Sequence, residues 1–530
     1  MRFRRRRARP AAALARRDRG HARVRERTGL HPARALRRRP RAARTGRARR
    51  ARAPRRRLAL PRPGRGACAV RPDAARSRRG RGRPARAPDE LEDVALRREQ
   101  QFAALGFEPD DLKQAAFMAE TGNELIGSLG YDGPLAALAP RANLADYLHE
   151  TVAVVTNPAI DREREIEHFS TRALLGPRPF PGGRGGRPTR RWVELLTPIL
   201  LGGHAPETGL SSDDFRKLAR ERGTWLVEDV VARFTAEAPR VPVVLEADRD
   251  WEEHPRDALA RLGAQACRGV RAGARLVVVQ DKHVFTEGRA WLDPLLVVAA
   301  AHRALGAQRS GAGSLRRQCA LIVTAGSLRN LHDLMVALGL GADAVNPYLL
   351  LEYAIATSDP DALPNLVEAL RKGIEKVCST LGIHELRGYG RQLSAIGLAP
   401  DVAKFLDLET FYGDAGLGWE RIAEEGFVRA SKLRERTEAR IEPAFRIWPR
   451  AWKAALSVAN GEAAYSTYAE RLRELETAHP VSLRHLLDFT RPLDGEPAPP
   501  ADTRAGEHAA PFYISSMSFG SQGETAYRAY

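Results

Sequence analysis

Three polar residues stand at the ends of short apolar runs. Asp281 follows Arg275–Gln280 (RLVVVQ), Thr324 closes Cys319–Thr324 (CALIVT), and Asn346 follows Gly341–Val345 (GADAV). In a parallel sheet all three would fall at the carboxyl ends of strands, where open α/β sheets receive ligands. The plainer reading of Asp281 is a helix cap or a strand end. A phosphate or dinucleotide site would need a glycine-rich turn after a strand. Gly311-Ala312-Gly313 precedes one instead and is set aside. His302 and His332 fall within helical spacing, as satisfied or surface histidines rather than metal ligands. Cys68, Cys267, Cys319 and Cys378 are far apart and form no CxxC pair, so neither a disulfide framework nor a zinc ribbon is expected. The chain has no HExxH, GxSxG, P-loop or kinase signature. Spacing alone therefore assigns no catalytic residue and no metal ligand.

The elements that must position these residues alternate regularly. Val241–Glu246 (VPVVLE) reads as a strand, followed by a helix over Asp257–Arg271 whose apolar face is Ala258, Leu259, Leu262 and Ala266. The RLVVVQ strand follows, then a helix over Leu292–Leu305, the CALIVT strand, a helix over Leu328–Leu338 and a last strand over Gly341–Val345. Continuous apolar strands separated by helices of 10–15 residues predict a parallel sheet covered on both faces, an α/β layer of the doubly wound type. Helical flanks are expected on either side: residues 90–170, where Pro109-Asp110-Asp111 supplies a helix start, and residues 347–480. Residues 176–190 (GPRPFPGGRGGRPTR) read as a flexible loop or linker, and Arg162–Glu165 (RERE) as ion pairs on a helix surface.

Charge is distributed unevenly. The chain has 530 residues and a net charge of +21. Residues 1–90 hold 34 Arg, no Lys and five acids, a net +29, which leaves −8 on the other 440 residues. A basic, nucleic-acid-binding character is thus excluded for most of the chain. The first ninety residues also lack Asn, Ile, Tyr, Gln and Trp and should be disordered, because they cannot bury enough apolar surface to offset chain entropy. Three readings compete for them: a basic arm that binds nucleic acid non-specifically through phosphates, an Arg-rich transit peptide, and a non-native translation of a GC-rich reading frame. The last is favoured, because the absent Lys, Asn, Ile and Tyr have AT-rich codons. No apolar run approaches the ~18 residues needed to cross a bilayer; Leu295–Ala301 stops at His302-Arg303. A cytoplasmic protein without membrane association is expected.

Several segments, in order, resemble the glutamate synthase large subunit. Glu124–Leu135 (ELIGSLGYDGPL) is similar to the family's E-P-x-G-S-M-G-x-D-x-P-L. Val155–Glu165 (VTNPAIDRERE) is similar to V-T-N-P-P-I-D-x-x-R-E, a long and specific motif. Leu276–Asp281 and Ala299–Leu305 (AAAHRAL) resemble a strand and an A-V-H-x-x-L helix. Leu338–Leu349 (LGLGADAVNPYL) resembles G-Y-G-A-x-A-x-N-P-Y-L, and Tyr513–Ser521 (YISSMSFGS) looks like the first strand and turn of an FMN barrel.

The resemblance implies three parts: an Arg-rich segment over 1–89, a glutamate synthase central-like α/β domain over 90–490, and over 491–530 a linker with the first strand of a (β/α)8 barrel. It implies a part in an oxidoreductase of glutamate biosynthesis and ammonia assimilation, converting 2-oxoglutarate and ammonia or the glutamine amide to glutamate. Met517, Ser518 and Gly520 would approach FMN in the complete enzyme. The missing synthase barrel, in cis or as a separate subunit, and a reductase subunit or ferredoxin would be its partners. Departures accompany the likeness. No Cys stands near residue 1 to serve as an amidotransferase nucleophile, and no closely spaced Cys trio could hold an iron–sulfur cluster. Ser379–His384 (STLGIH) replaces S-K-M-G-I-S, and Gly388–Gln392 (GYGRQ) departs from Y-x-G-A-Q. The chain is therefore expected to lack amidotransferase activity and most of the flavin barrel. The alternatives are a non-catalytic scaffold for a separate barrel subunit, or a nucleic-acid binder acting through its basic arm.

Overall fold

The computed structural model describes residues 98–125, 136–139, 141–150, 168–178, 192–203, 212–237, 241–282, 288–310, 313–357, 359–390, 392–414, 416–434, 441 and 448–487. The expectations for 1–89 and 491–530, including the barrel strand and Met517, Ser518 and Gly520, lie outside the described residues.

Two helices come first, α1 (Arg98–Ala104) and α2 (Pro109–Thr121). Pro109 opens α2 as the sequence predicts, and the Asp111 carboxylate accepts the Glu108 N–H at 2.9 Å, satisfying a donor at the helix start. Next is a short strand, β1 (Leu148–Glu150), in a stretch the sequence reads as helical. It pairs antiparallel with residues 393–395, a partner about 245 residues away that no local pattern could announce. An antiparallel pair, β2 (Ala173–Leu175) and β3 (Val193–Leu195), precedes helices α3 (Ser212–Arg222) and α4 (Val227–Glu237).

The central unit then follows. Its elements are β4 (Val243–Glu246), β5 (Asp248–Asp250), α5 (Pro255–Arg271), β6 (Leu276–Gln280), β7 (Arg289–Trp291) and α6 (Pro294–Ala307). After them come β8 (Arg309–Ser310), β9 (Gly313–Ser314), β10 (Ala320–Thr324), α7 (Leu331–Gly339) and β11 (Ala344–Asn346). β4, β6, β10 and β11 form one parallel sheet in that order. Each expected strand and helix of this unit is present, with ends shifted by a few residues. All four residues of the α5 apolar face, Ala258, Leu259, Leu262 and Ala266, are buried.

The four named strands alone do not make up the doubly wound sheet that the spacing predicts; a fifth parallel segment, at Ile199, lies beside β11. The four strands wind in one direction without a reversal. Right-handed crossovers that always step the same way place their helices on one face. Accordingly, Leu245, Val277, Val279, Leu321, Val323 and Val345 pack with α5, α6 and α7. The alternate residues, among them Val278, Ile322 and Ala344, face the other way and meet α4 and the β2–β3 pair. Both faces are covered, as the apolar strands require, but the second is covered by elements that precede the sheet. Beyond β11, Ile199 bridges Val345 and extends the sheet by one short segment.

Helices α8 (Tyr348–Ile355) and α9 (Ala362–Thr380) continue the helical layer. Then come β12 (Leu393–Ile396), α10 (Pro400–Leu406), β13 (Thr410–Phe411), α11 (Trp419–Arg434), α12 (Trp448–Ala459) and α13 (Tyr465–Ala478). β12 is the strand that pairs with β1 on one side and lies parallel to β13 on the other. A Cβ at Gly426 in α11 would overlap the Trp291 carbonyl, so glycine there lets α11 lie directly on β7.

Two buried arginines lock these layers. Arg429 of α11 donates to the Leu105 carbonyl at 3.0 Å, the Ala142 carbonyl at 3.2 Å and Glu425 Oε1 at 3.2 Å, with its guanidinium 4.3 Å from the Trp291 ring centroid. Arg329, in the turn between β10 and α7, donates to both Asp333 oxygens at 2.8 and 3.0 Å and to Asp146 before β1. Its neighbour Asn330 donates to Asp111 of α2 at 2.7 Å. Removing the Arg329 cation leaves Asp146 and Asp333 buried without compensation. Arg329→Met should therefore cost about 3–5 kcal/mol, read as a lower urea midpoint at unchanged m-value. A midpoint like that of the parent would show that the acids find other partners.

Candidate functional site

The carboxyl edge of the sheet gathers the three residues singled out above. Thr324 Oγ1 donates to Asn346 Oδ1 at 2.7 Å, joining the ends of β10 and β11. Asn346 Nδ2 donates to the carbonyls of Leu200 at 2.8 Å and Gly202 at 3.2 Å, which anchors the segment beside β11. Asp281 follows β6 and is fully buried. Its Oδ1 accepts the Gly326 N–H at 3.0 Å and so holds the turn that follows β10. The plainer reading of Asp281 thus stands: it ends a strand and secures a turn.

Residues that the spacing did not single out complete the cluster. Lys282 Nζ donates to the Gly203 carbonyl and lies 4.9 Å from the Tyr348 ring centroid. Gly203 has φ +76°, and its N–H donates to Glu228 Oε1 at 2.6 Å. A Cβ there would meet Lys282 Nζ and Asn346 Oδ1, so the backbone can approach the lysine only as glycine. At the end of β6, Gln280 Nε2 donates to Glu246 Oε1 of β4 at 2.7 Å. Tyr348 opens α8 directly after Asn346-Pro347, and its hydroxyl lies over Gly326.

Burial dominates the electrostatics. Desolvation pushes the Asp281 carboxyl up to about 6, against the lowering effect of the Gly326 N–H, Tyr348 and Lys282. The Tyr348 phenol is pushed up by burial and by the adjacent Asp281. Burial lowers the Lys282 ammonium, while Glu228, Glu352 and Asp281 oppose that shift. A carboxyl near 6 has a pKa suited to general acid–base work. With no exposed surface it cannot touch a substrate, however, and its hydrogen bond is spent on the Gly326 turn. The described carboxyl edge also offers no cradle for a flavin: Tyr348 occupies the space over Gly326, and Lys282 that over Gly203.

Both histidines are hydrogen-bonded. His302 Nδ1 accepts from Arg316 Nε at 3.2 Å, and His332 Nε2 lies 2.8 Å from the Ala145 carbonyl. Cys267, Cys319 and Cys378 are buried free thiols. Among the described residues no three His, Cys, Asp or Glu side chains are grouped to hold a metal ion.

This combination defines a class, a parallel α/β layer whose polar edge holds loops in register through side-chain contacts to the backbone. The family comparison makes it specific: a model described as "Glutamate synthase central domain" matches residues 100–399, and the chain belongs to that family. It is 29% identical over 348 residues to the glutamate synthase [NADPH] large chain of Bacillus subtilis (strain 168), covering 62% of this chain and 21% of that one. It is 28% identical over 353 residues to the glutamate synthase [NADH] of Schizosaccharomyces pombe, covering 64% and 15%. With ferredoxin-dependent glutamate synthase 2 of Synechocystis it shares 29% over 357 residues, covering 62% and 21%. The matched part therefore spans about a fifth or less of the length of these relatives. Among solved structures, a mandelate oxidase variant superposes at TM-score 0.27 and 16% identity, covering 56% of this chain and 98% of that one.

The raised Asp281 pKa sets a pH dependence. Relative to its ordinary value of 3.8, the folded protein favours the protonated form. The associated stability is therefore fully present below about pH 4 and is lost as pH rises through about 6. Asp281→Asn keeps an acceptor for Gly326 and removes the buried charge. Its stability relative to the parent should be greater at pH 7.5 than at pH 4 by about 2 kcal/mol. Urea midpoints at the two pH values check this; a difference that is the same at both would contradict it.

Proposed function

We propose that this chain is the connector layer of a glutamate synthase-type oxidoreductase, acting in glutamate biosynthesis and ammonia assimilation. Its role is to hold a flavin-binding synthase barrel in register, in cis or as a separate subunit. The observation that carries this reading is the match to the glutamate synthase central domain over residues 100–399. The consumption of Asp281, Lys282 and Asn346 by loop-holding contacts supports it, because a positioning layer needs rigidity rather than a reactive group of its own. In the complete enzyme FMN supplies the reducing electrons. This chain's residues contribute fixed geometry and exclusion of water around the barrel they support. Met517, Ser518 and Gly520 are proposed as the first backbone approach to FMN. A reductase subunit or ferredoxin is the proposed electron source, as the names of the relatives suggest. A cytoplasmic location is part of this proposal, and the buried free thiols suit a reducing compartment.

Co-expression with the synthase-barrel polypeptide of the same genome tests this. The full chain should co-purify with a flavin-containing barrel, and glutamate formation from 2-oxoglutarate and ammonia should fall sharply when the chain is left out. Two outcomes would overturn the reading: turnover of 2-oxoglutarate by the purified chain with FMN alone, or barrel activity that is the same with and without the chain.

A further inference from the structure

The amino edge of the sheet, opposite Asp281, carries a groove that the connector role does not use. It lies between β2, the turn from α7 into β11, and residues 383–390. The pocket beside Asp343 has a volume of about 110 Å³. Two further open pockets, of about 350 and 780 Å³, share Leu174 and Arg387 with it. The largest lies within the range of small-molecule sites, about 300–1,000 Å³.

Four guanidinium groups line it: Arg172, Arg178, Arg316 and Arg387. Arg316 is buried and fully engaged, donating to the Gly341 carbonyl at 2.8 Å and the Cys319 carbonyl at 3.0 Å, and pairing with Asp343 at 2.9 Å. Arg178 pairs with the same Asp343 carboxylate. Two cations thus share one anion, and that anion is also held by the Leu321 N–H at 2.8 Å. Arg172 pairs with Glu194 at 3.1 Å, and Arg387 with Glu385; both pairs are largely exposed. The groove lining therefore sets four cations against three carboxylates, with the surplus positive charge beside Asp343. Exposed ion pairs of this kind are weak, and their arginines can turn to a better anion at little cost. Beside them the widest chamber is walled by Leu174, Trp192 and Ile383. Trp192 is fixed by an Nε1–H bond to the Pro177 carbonyl. His384 is fixed by stacking on Phe169 at 5.1 Å.

We propose that this groove binds a small organic anion. A phosphate or carboxylate head would be held by Arg172, Arg178 and Arg387, and a planar apolar body would lie against Trp192 and Leu174. Guanidinium forks match both head groups in geometry and charge. The proposal does not rest on the connector role, and its fate does not depend on that reading.

Calorimetric titration of the full chain tests it, with phenyl phosphate and inorganic phosphate as probes and sodium chloride at matched ionic strength as control. Phenyl phosphate should bind saturably and more tightly than inorganic phosphate. Arg387→Gln and Arg172→Gln alter exposed side chains, so the variants should fold as the parent does. Each should weaken phenyl phosphate by about tenfold, the loss of one charge-assisted hydrogen bond. The proposal is overturned by heats no different from the chloride control, by equal affinity for the two phosphates, or by parent-like binding in both variants.

Discussion

Arg329 is a cation taken out of water, and the arrangement around it follows from that cost. A buried guanidinium is tolerable only where carboxylates meet it with good geometry, and those carboxylates are tolerable only where the guanidinium reaches them. Asp333 on α7, Asp146 ahead of β1 and, through Asn330, Asp111 on α2 therefore have one mutual placement. The turn that carries Arg329 also presents the Gly326 N–H to Asp281. The helical flank and the carboxyl edge of the sheet are thus set by one loop. Arg429 does the same for α11, taking the Leu105 and Ala142 carbonyls and lying on Trp291.

The two ends of the sheet are built differently, and the contrast bears on function. At the carboxyl edge, where α/β layers commonly receive ligands, side chains pair with backbone and with each other until little capacity is left. Tyr348, Lys282 and Asn346 fill the space that a substrate would need. At the amino edge the arginines outnumber the acids beside them, and open volume remains. The proposed connector role suits the first arrangement. The second is a feature of its own.

Much of the fold was legible. Runs such as LVVVQ and ALIVT are continuously apolar because both faces of their strands are buried, and the 3.6-residue spacing of Ala258, Leu259, Leu262 and Ala266 follows from one face of α5 meeting the sheet. Asp281, Thr324 and Asn346 were legible as strand-end residues for the same reason. Lys282 and Tyr348 were not. Their importance comes from Gly203 and Gly326, which are far away in the chain and approach them only after folding. Strand β1 escaped notice because its partner lies on β12, and three residues carry too little local pattern to reveal that. The direction of winding was also hidden: alternating strands and helices specify a parallel sheet, but not which strand neighbours which.

The sequence by itself determined the alternation of elements, the residues that face inward and the glutamate synthase likeness, because periodicity and local motifs are properties of neighbouring residues. Tertiary structure alone decided which strand neighbours which, that Asp281 is sealed from solvent, and that Arg178 and Arg316 share Asp343. Those outcomes depend on groups brought together across tens to hundreds of residues, where desolvation and charge pairing act on distance in space rather than along the chain.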